Sequence, residues 1–285
     1  MISEPFDLTC RNSYRIAAEA RRGIVPANAA ELVEALRAEP DAIVIGSGHN
    51  LILRSARYDD TFIVASVADL NDDVCALKED TLTAYAGVSM TPLSILAMEH
   101  GLAGLEMFYD IPSSLGGAVV MNAGASGEEI KDVLTDVTVF DRAKGIILTL
   151  RRDDIGYAYR QSIFQQRPEL IVLSATLTLK AGNRGQILER MESIKEARWA
   201  KQPRDLPNAG SVFKRPPGYY VGQMMEELDL KGHRVGGAQL SSKHGGFIVN
   251  LDQASGADIL ELIAHIKAVV SQRFGIDLQQ EQVII

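Results

Sequence analysis

The sequence is poor in cysteine and contains no long apolar run. Its two cysteines, Cys10 and Cys75, stand in neither a disulfide framework nor a metal-binding motif, so we expect reduced thiols and no metal site. No stretch approaches the roughly 18 apolar residues that span a bilayer. The first residues, MISEPFDLTC, lack the basic and then apolar segments of a secretory signal. These absences argue against a secreted disulfide-rich domain and against a membrane protein, and they predict a cytoplasmic protein.

Positive charge is also in short supply. The chain has 29 Lys and Arg against 37 Asp and Glu, which gives a formal net charge of -8. A broad nucleic-acid surface needs a surplus of basic residues, so no nucleic-acid partner is expected, whereas a local pocket for a small anion is compatible with this balance. With 46% hydrophobic and 23% charged residues, the 285-residue chain has a globular composition, and its length predicts two domains.

Apolar periodicity predicts strands that alternate with helices. Helices are expected after the capping residues Asn28 (with Glu31, before Pro40), Thr91 (with Pro92 at the first position) and Ser255, and over residues 186–203. Strands are expected at 41–46, 61–66, 81–89, 133–141, 145–152, 170–180 and 245–252. We place a domain boundary near residue 185.

Two glycine-rich loops interrupt this pattern. The run AIVIG ends in GSGHN, residues 46–50, where glycine allows backbone N–H groups to approach an anion such as a diphosphate. The second loop, IPSSLGGAVVMNAGASG, covers residues 111–127. Two such loops can hold the two ends of one dinucleotide cofactor. The alternative is that the glycines serve only turns and packing.

Seven stretches in order along almost the whole chain resemble the UDP-N-acetylenolpyruvoylglucosamine reductase family in its compact, type II form. They are NSYRIAAEA, GSGHNLIL, GLAGLEMFYDIPSSLGGAVVMNAGASGEEIKDV, YAYRQSIF, QPRDLPNAGSVFKRPPG, LKGHRVGGAQLSSKHGGFIVN and FGIDLQQEQVII. The resemblance implies an α+β fold with a two-part FAD-binding domain of the PCMH/vanillyl-alcohol-oxidase type and a C-terminal α/β substrate-binding domain. We assign these to residues 1–185, split near 70, and 186–285, with the last strand returning to the active site.

The resemblance also implies a two-step reaction with FAD and NADPH. NADPH reduces the flavin and leaves, and the enol ether of UDP-N-acetylglucosamine then accepts the hydride, which yields UDP-N-acetylmuramate for peptidoglycan synthesis.

Hydride addition places negative charge on the inner carbon and its carboxylate, so the site needs a carboxylate partner and a proton donor. Arg160, Ser211 and Glu281 match the family's residues for these tasks. Residue type alone favours a surface arginine, a turn serine and a solvated tail residue, whereas the motif context favours the functional roles.

The remaining site predictions follow from the same motifs. Tyr159, Lys214, Lys243 and His244 are predicted on the substrate side, although Lys243 and His244 can serve only to hold their loop. The predicted cofactor-binding residues are Gly46, Ser47, Gly48, His49, Asn50, Leu51, Ser113, Ser114, Gly116, Gly117, Asn122, Ala123 and Gly124.

The sequence departs from the family pattern at four points. His49 replaces a serine, Ser113 replaces a glycine, AAEA at residues 17–20 replaces GGPA, and Gln280 replaces the proline before the glutamate. The loop around His49 resembles that of flavin oxidases with a histidyl-flavin bond, so His49 is either tethered to FAD or a hydrogen-bonding residue. A paralogous FAD-dependent oxidoreductase with a different substrate, and a non-catalytic flavin-binding protein, remain as alternatives. A monomer is expected.

Overall fold

A computed structural model describes residues 1–67 and 69–285. The chain forms two compact units, and both are discontinuous in sequence. The first unit comprises Met1–Ser3, Arg22–Ser47 and Asp60–Glu196, and the second comprises Glu4–Arg21, Gly48–Asp59 and Ala197–Ile285. The domain bounds expected from the sequence, 1–185 and 186–285, stay a prediction.

Both units contain helices and strands, as expected for the α+β class. In chain order the elements are β1 (Ile2–Ser3), β2 (Phe6–Asp7), β3 (Glu19–Ile24), α1 (Ala29–Ala38), β4 (Ile43–Ile45), β5 (Leu51–Ile52), β6 (Arg57–Val64), β7 (Cys75–Lys78), β8 (Thr81–Tyr85), α2 (Met90–Glu99), β9 (Leu102–Ala103), α3 (Leu115–Met121), β10 (Gly124–Ala125), β11 (Glu128–Glu129), β12 (Leu134–Asp141), β13 (Ile146–Arg151), β14 (Leu170–Thr178), β15 (Lys180–Ala181), α4 (Arg184–Lys201), α5 (Val221–Glu227), β16 (Arg234–Val235), β17 (Ala238–Leu240), β18 (Ile248–Asn250), α6 (Gly256–Phe274) and β19 (Val283–Ile284). Every predicted strand and helix has a counterpart, although several ends differ: the strand predicted over 81–89 ends at Tyr85, and α2 begins earlier than predicted.

The described residues of the first unit include strands of two five-stranded sheets and a large apolar core. One sheet has the order β1-β3-β6-β4, and β4 pairs in parallel with the end of β6. The other is antiparallel with the order β13-β12-β14-β8-β7. Its strands alternate apolar and polar residues, and the apolar ones face a core shared with α1, α2 and α3. Leu36, Leu93, Leu115, Val139 and Leu177 are all fully buried there.

Local capping explains where α1 begins, whereas a tertiary contact shifts the start of α2. Asn28 accepts a hydrogen bond from the Glu31 N–H at 3.0 Å and caps α1 as predicted. The cap predicted at Thr91 is wrong: α2 begins at Met90 with Ser89 as its N-cap. The Met90 N–H donates to the Ser113 carbonyl, in the second glycine-rich loop, at 2.9 Å. The N–H groups of a first helical turn have no acceptor within the helix, and this one finds its acceptor outside it.

The second unit contains the antiparallel sheet β16-β17-β18, which contacts α6. Ser255 caps α6 as predicted, since it accepts from the Asp258 N–H at 3.1 Å and the Asp258 carboxylate accepts from the Ser255 N–H at 2.9 Å. Gly275, with φ +67°, ends the helix. The C-terminal strand β19 pairs in parallel with β5. Across residues 1–67 and 69–285, no helix combines the length and the apolar character that crossing a membrane requires.

Candidate active site

The structure brings the start of the first glycine-rich loop against the second within the first unit. The Ser114 N–H donates to the Ser47 hydroxyl at 3.0 Å. A Cβ on Gly46 would lie 2.4 Å from Ser114 Oγ, so a side chain at this position would displace the Ser114 hydroxyl. Ser114 also caps α3 by accepting from the Gly117 N–H at 3.3 Å. The two loops that the sequence predicts around one cofactor therefore meet at their serines.

Ser113 carries an unusual hydroxyl. Its Oγ is buried and has no hydrogen-bond partner among the residues that the structure describes. Buried polar atoms are almost always paired, so this oxygen is suited to a polar ligand. Ser113 is not among the non-glycine residues with positive φ, so the family's glycine is replaced here without backbone strain. The hydroxyl fits a polar, phosphate-bearing cofactor such as FAD.

The rest of the first loop lies in the second unit. Gly48 has φ +76°, and a Cβ there would lie 1.9 Å from the Arg11 carbonyl oxygen, so no larger residue fits. His49 follows in a partly buried position. Desolvation lowers the pKa of His49 to about 4, and the nearby charge of Arg15 acts in the same direction. The imidazole is therefore neutral near pH 7 in the protein alone.

The C-terminal segment runs beside this loop. Asn50 Nδ2 donates to the Glu281 carbonyl at 3.1 Å, and the Val283 N–H donates to the Asn50 carbonyl at 2.9 Å. Leu51 then pairs with Val283 as the first partners of β5 and β19. The structure thus joins two predicted cofactor residues, Asn50 and Leu51, to the chain segment that contains a predicted catalytic residue, Glu281.

Side chains from the loop at 157–165 cover the C-terminal end of α3. The last carbonyls of an α-helix have no partner within the helix. Here the Tyr157 hydroxyl donates to the Val119 carbonyl at 3.1 Å, and the Ser162 hydroxyl donates to the Val120 carbonyl at 2.6 Å. Asn122 ends the helix in the left-handed region, with φ +45°, and its side chain donates to the Ala158 carbonyl at 3.0 Å.

Arg160 binds to the same region. Its Nη1 donates to the Asn122 carbonyl at 3.1 Å, and its Nη2 donates to the Gly124 carbonyl. A cation is favoured near a helix C-terminus, where the helix dipole is negative. Arg160 itself has φ +54°, a conformation that is rare for a residue with a Cβ and is often found at functional sites. Tyr159 is half exposed, and its ring centroid lies 5.2 Å from the Arg160 guanidinium carbon.

Ser211 lies in a segment that is paired on both sides within the second unit. On one side Ser211 forms an antiparallel bridge with Phe247. On the other side the Glu281 N–H donates to the Val212 carbonyl at 2.8 Å. The structure therefore brings Ser211 and Glu281 onto neighbouring backbone segments. The Ser211 hydroxyl is exposed and makes no hydrogen bond within residues 1–67 and 69–285.

The backbone pairing also accounts for Gln280. Gln280 forms an antiparallel bridge with Phe213. The hydrogen bonds of this bridge are made by the residues before and after the two: the Lys214 N–H donates to the Gln279 carbonyl, and the Glu281 N–H donates to the Val212 carbonyl. The N–H of residue 280 therefore points away from this partner, and a proline at this position would keep the same pairing. The change from proline does not displace Glu281.

Sequence reasoning missed Gln282. This side chain is buried, and its Nε2 donates to the Ala209 carbonyl at 3.0 Å and the Gly210 carbonyl at 3.2 Å. Its Oε1 accepts from the Tyr14 hydroxyl at 3.0 Å, and burial raises the Tyr14 pKa. Gln282 therefore holds the segment before Ser211. The sequence offered one indication of this contact: Tyr14 and Gln282 lie in two stretches that resemble the family, NSYRIAAEA and FGIDLQQEQVII.

Lys243 and His244 make contacts that hold their own loop. Lys243 Nζ donates to the Trp199 carbonyl at 2.8 Å. His244 Nδ1 accepts from the Gly246 N–H at 3.1 Å, and desolvation lowers the His244 pKa, which favours the neutral ring. Lys214 is partly buried beside the C-terminal segment. Their contacts with a substrate stay predictions, as does the convergence of Arg160, from the first unit, with Ser211 and Glu281, from the second.

Comparison with known proteins identifies the family. Residues 21–151 match the FAD binding domain, and residues 202–285 match the C-terminal domain of UDP-N-acetylenolpyruvoylglucosamine reductase. The chain is 41% identical to the UDP-N-acetylenolpyruvoylglucosamine reductase of Pseudothermotoga lettingae, over 98% of this chain and 95% of that protein. It is 36% identical to the enzyme of the same name from Francisella tularensis, over the whole of both chains.

A solved structure supports the same assignment. The crystal structure of UDP-N-acetylenolpyruvylglucosamine reductase from Thermus caldophilus superposes with a TM-score of 0.82 at 31% identity, over 100% of this chain and 99% of that one. The predicted fold class, an FAD-binding domain with a C-terminal reductase domain, is confirmed. This chain belongs to the UDP-N-acetylenolpyruvoylglucosamine reductase family.

Proposed function

We propose that this protein is an FAD-dependent reductase that uses NADPH to convert UDP-N-acetylglucosamine enolpyruvate to UDP-N-acetylmuramate in peptidoglycan precursor synthesis. The observation that carries the proposal is the match to reductases of that name along at least 98% of the chain. Within that match the chain retains Arg160, Ser211 and Glu281, the polar groups that the chemistry needs.

The glycine-rich loops fit FAD. Ser113 offers a buried hydroxyl that has no hydrogen-bond partner among the described residues, and Ser47 and Ser114 join the two loops. When bound, FAD carries a hydride from NADPH to the enolpyruvyl double bond. For His49 we favour a hydrogen bond over a covalent bond to the flavin. Acid denaturation tests this choice, because a covalent bond would leave yellow colour in the washed precipitate.

Arg160 is assigned to the substrate carboxylate. Hydride addition to the outer carbon of the enolpyruvyl group leaves an electron pair on the inner carbon, delocalised into the carboxylate. A planar guanidinium can bind a carboxylate with two parallel hydrogen bonds. The two backbone carbonyls that accept from Arg160 support this role, because they restrict how the guanidinium can rotate.

Ser211 is assigned as the proton donor, and Glu281 is assigned to proton transfer beside it. The exposed Ser211 hydroxyl would give its proton to the inner carbon, which completes the saturated product. The backbone pairing of residue 281 with Val212 supports a shared site for the two residues. The cytoplasmic location and the monomeric state stay predictions.

A direct assay tests this function. Purified flavoprotein is mixed with NADPH and the enolpyruvyl sugar nucleotide, while nicotinamide absorbance is followed and the product is identified by mass. We expect NADPH oxidation that requires the sugar nucleotide, and a product that has gained one hydride and one proton. NADPH oxidation at the same rate without the sugar, or an unchanged sugar nucleotide, would overturn the proposal.

A further inference from the structure

Arg190, on α4, contacts two carboxylates and has no role in the function proposed above. Its Nη2 donates to the Glu128 carboxylate, and its Nη1 lies 3.7 Å from Glu106 Oε1. Glu106 is only 3% exposed and also accepts from the Gly104 N–H at 2.8 Å, so its position is fixed. Arg190 therefore joins the fixed carboxylate of Glu106 to that of Glu128, the residue directly after the second glycine-rich loop.

Glu128 connects this arginine to the predicted substrate arginine. In the β10–β11 hairpin, Ala125 pairs with Glu128 and Gly124 with Glu129. The two strands approach closely, since a Cβ on Gly124 would lie 2.1 Å from the Glu128 carbonyl oxygen. The Gly124 carbonyl accepts from Arg160 Nη2. A displacement of Glu128 is therefore transmitted through one strand pair to the acceptor that holds the Arg160 guanidinium.

This hairpin depends on contacts from outside it. Each strand has two residues, and hairpins of this size have little stability of their own. Both residues of its turn have positive φ, +56° at Ser126 and +91° at Gly127, and both are exposed. The strand β10 leads directly from the C-terminal end of α3, where Arg160 binds. The Arg190–Glu128 pair is thus placed to restrain a weak element of the site.

We propose that Arg190 is a positioning residue for Arg160. By holding Glu128, it keeps the Gly124 carbonyl where the guanidinium faces the carboxylate of the enolpyruvyl substrate. A small misplacement of a substrate-binding group can slow a reaction up to about 100-fold. The inference rests on the proposed function, since it assigns Arg190 to the carboxylate-binding step and gives it no part in the reaction with NADPH.

Two variants of the same helix separate this role from a general charge effect. Arg190→Gln removes the positioning arginine, and Arg184→Gln removes an exposed arginine from the first turn of α4. We expect Arg190→Gln to slow reduction of the enolpyruvyl sugar about tenfold and to weaken calorimetric binding of UDP-N-acetylmuramate to the oxidised holoenzyme by a similar factor. Flavin reduction by NADPH should keep its rate, and Arg184→Gln should match the wild type in every measurement.

Glu128→Ala gives an independent variant, because it removes the same contact while Arg190 and Glu106 remain together. It should reproduce the loss of product binding. In the Arg160→Lys background, Arg190→Gln should add little further loss, because both changes act through one guanidinium. Equal loss in both half-reactions, full additivity with Arg160→Lys, or unchanged product binding would overturn the role of Arg190. A wild-type enzyme that does not reduce the enolpyruvyl sugar would instead overturn the proposed function, and this role with it.

Discussion

Replacing Ser211 with alanine separates the two half-reactions of the proposed cycle. The Ser211 hydroxyl is exposed and makes no hydrogen bond within the described residues 1–67 and 69–285, so its removal leaves no buried group unpaired. The backbone bridge to Phe247 does not depend on the side chain. We therefore expect the free energy of unfolding to change by less than about 0.5 kcal/mol.

The expected effect on chemistry is much larger. A positioned proton donor contributes about 10²–10⁴-fold in rate, which corresponds to about 3–5 kcal/mol in activation free energy. Stopped-flow measurements follow the two steps separately: loss of flavin absorbance with NADPH, and its return with the enolpyruvyl sugar nucleotide. In Ser211→Ala the first rate should stay at the wild-type value, while the second falls by that factor.

Matched variants make the result specific. Ser242→Ala removes another exposed serine hydroxyl from the same unit and should leave both rates unchanged. Ser211→Cys keeps a proton donor at the same position and should recover part of the second rate. The assigned role is refuted if Ser211→Ala slows both steps equally, or if it slows neither.

Three further changes test the loops around the site. In Arg160→Lys the ammonium cannot copy the guanidinium fork, so kcat/KM for the sugar nucleotide should fall about 10–100-fold, by the 1.5–3 kcal/mol of a charged hydrogen bond, and an unchanged kcat/KM would contradict the assignment. Gly48→Ala adds a Cβ 1.9 Å from the Arg11 carbonyl oxygen at φ +76°, so urea denaturation should show a larger loss of stability than Gly145→Ala, which has φ +68° and no close atoms. The pKa of His49 is about 4 in the folded protein against 6.5 when unfolded. Between these values the unfolded chain binds the extra proton, so the stability of the flavin-free protein should fall by up to about 3 kcal/mol as the pH drops from 6.5 to 4. His49→Gln should lose this pH dependence, and a variant that keeps it would show that another group is responsible.

Local sequence was sufficient wherever the contact that defines an element spans only a few residues. Asn28 and Ser255 cap their helices with bonds to residues three positions ahead, and Gly275 ends α6 with a positive φ that glycine tolerates. The strands of the antiparallel sheet β13-β12-β14-β8-β7 were also predictable, because apolar and polar residues alternate along their sequences.

The same local reasoning gave the wrong N-cap for α2, because long-range contacts determine where this helix begins. Thr91 has the chemistry of an N-cap, but its hydroxyl donates to the Tyr109 carbonyl at 3.1 Å, and the helix begins at Met90, two residues before the predicted first position. The acceptor is a backbone carbonyl, which every residue carries. Nothing in the sequence around Thr91 distinguishes this partner from any other.

The site divides in the same way. The sequence alone determined which side chains are available: an arginine, a serine and a glutamate in motifs that resemble one family, and two loops with enough glycine for close backbone approach. Only the tertiary structure decided that carbonyls after α3 hold Arg160, that paired backbone segments bring Ser211 beside Glu281, and that Gln282 supports them from below the surface. These contacts join residues far apart in the chain through backbone groups common to all residues. The pattern of side chains along the sequence therefore does not predict them.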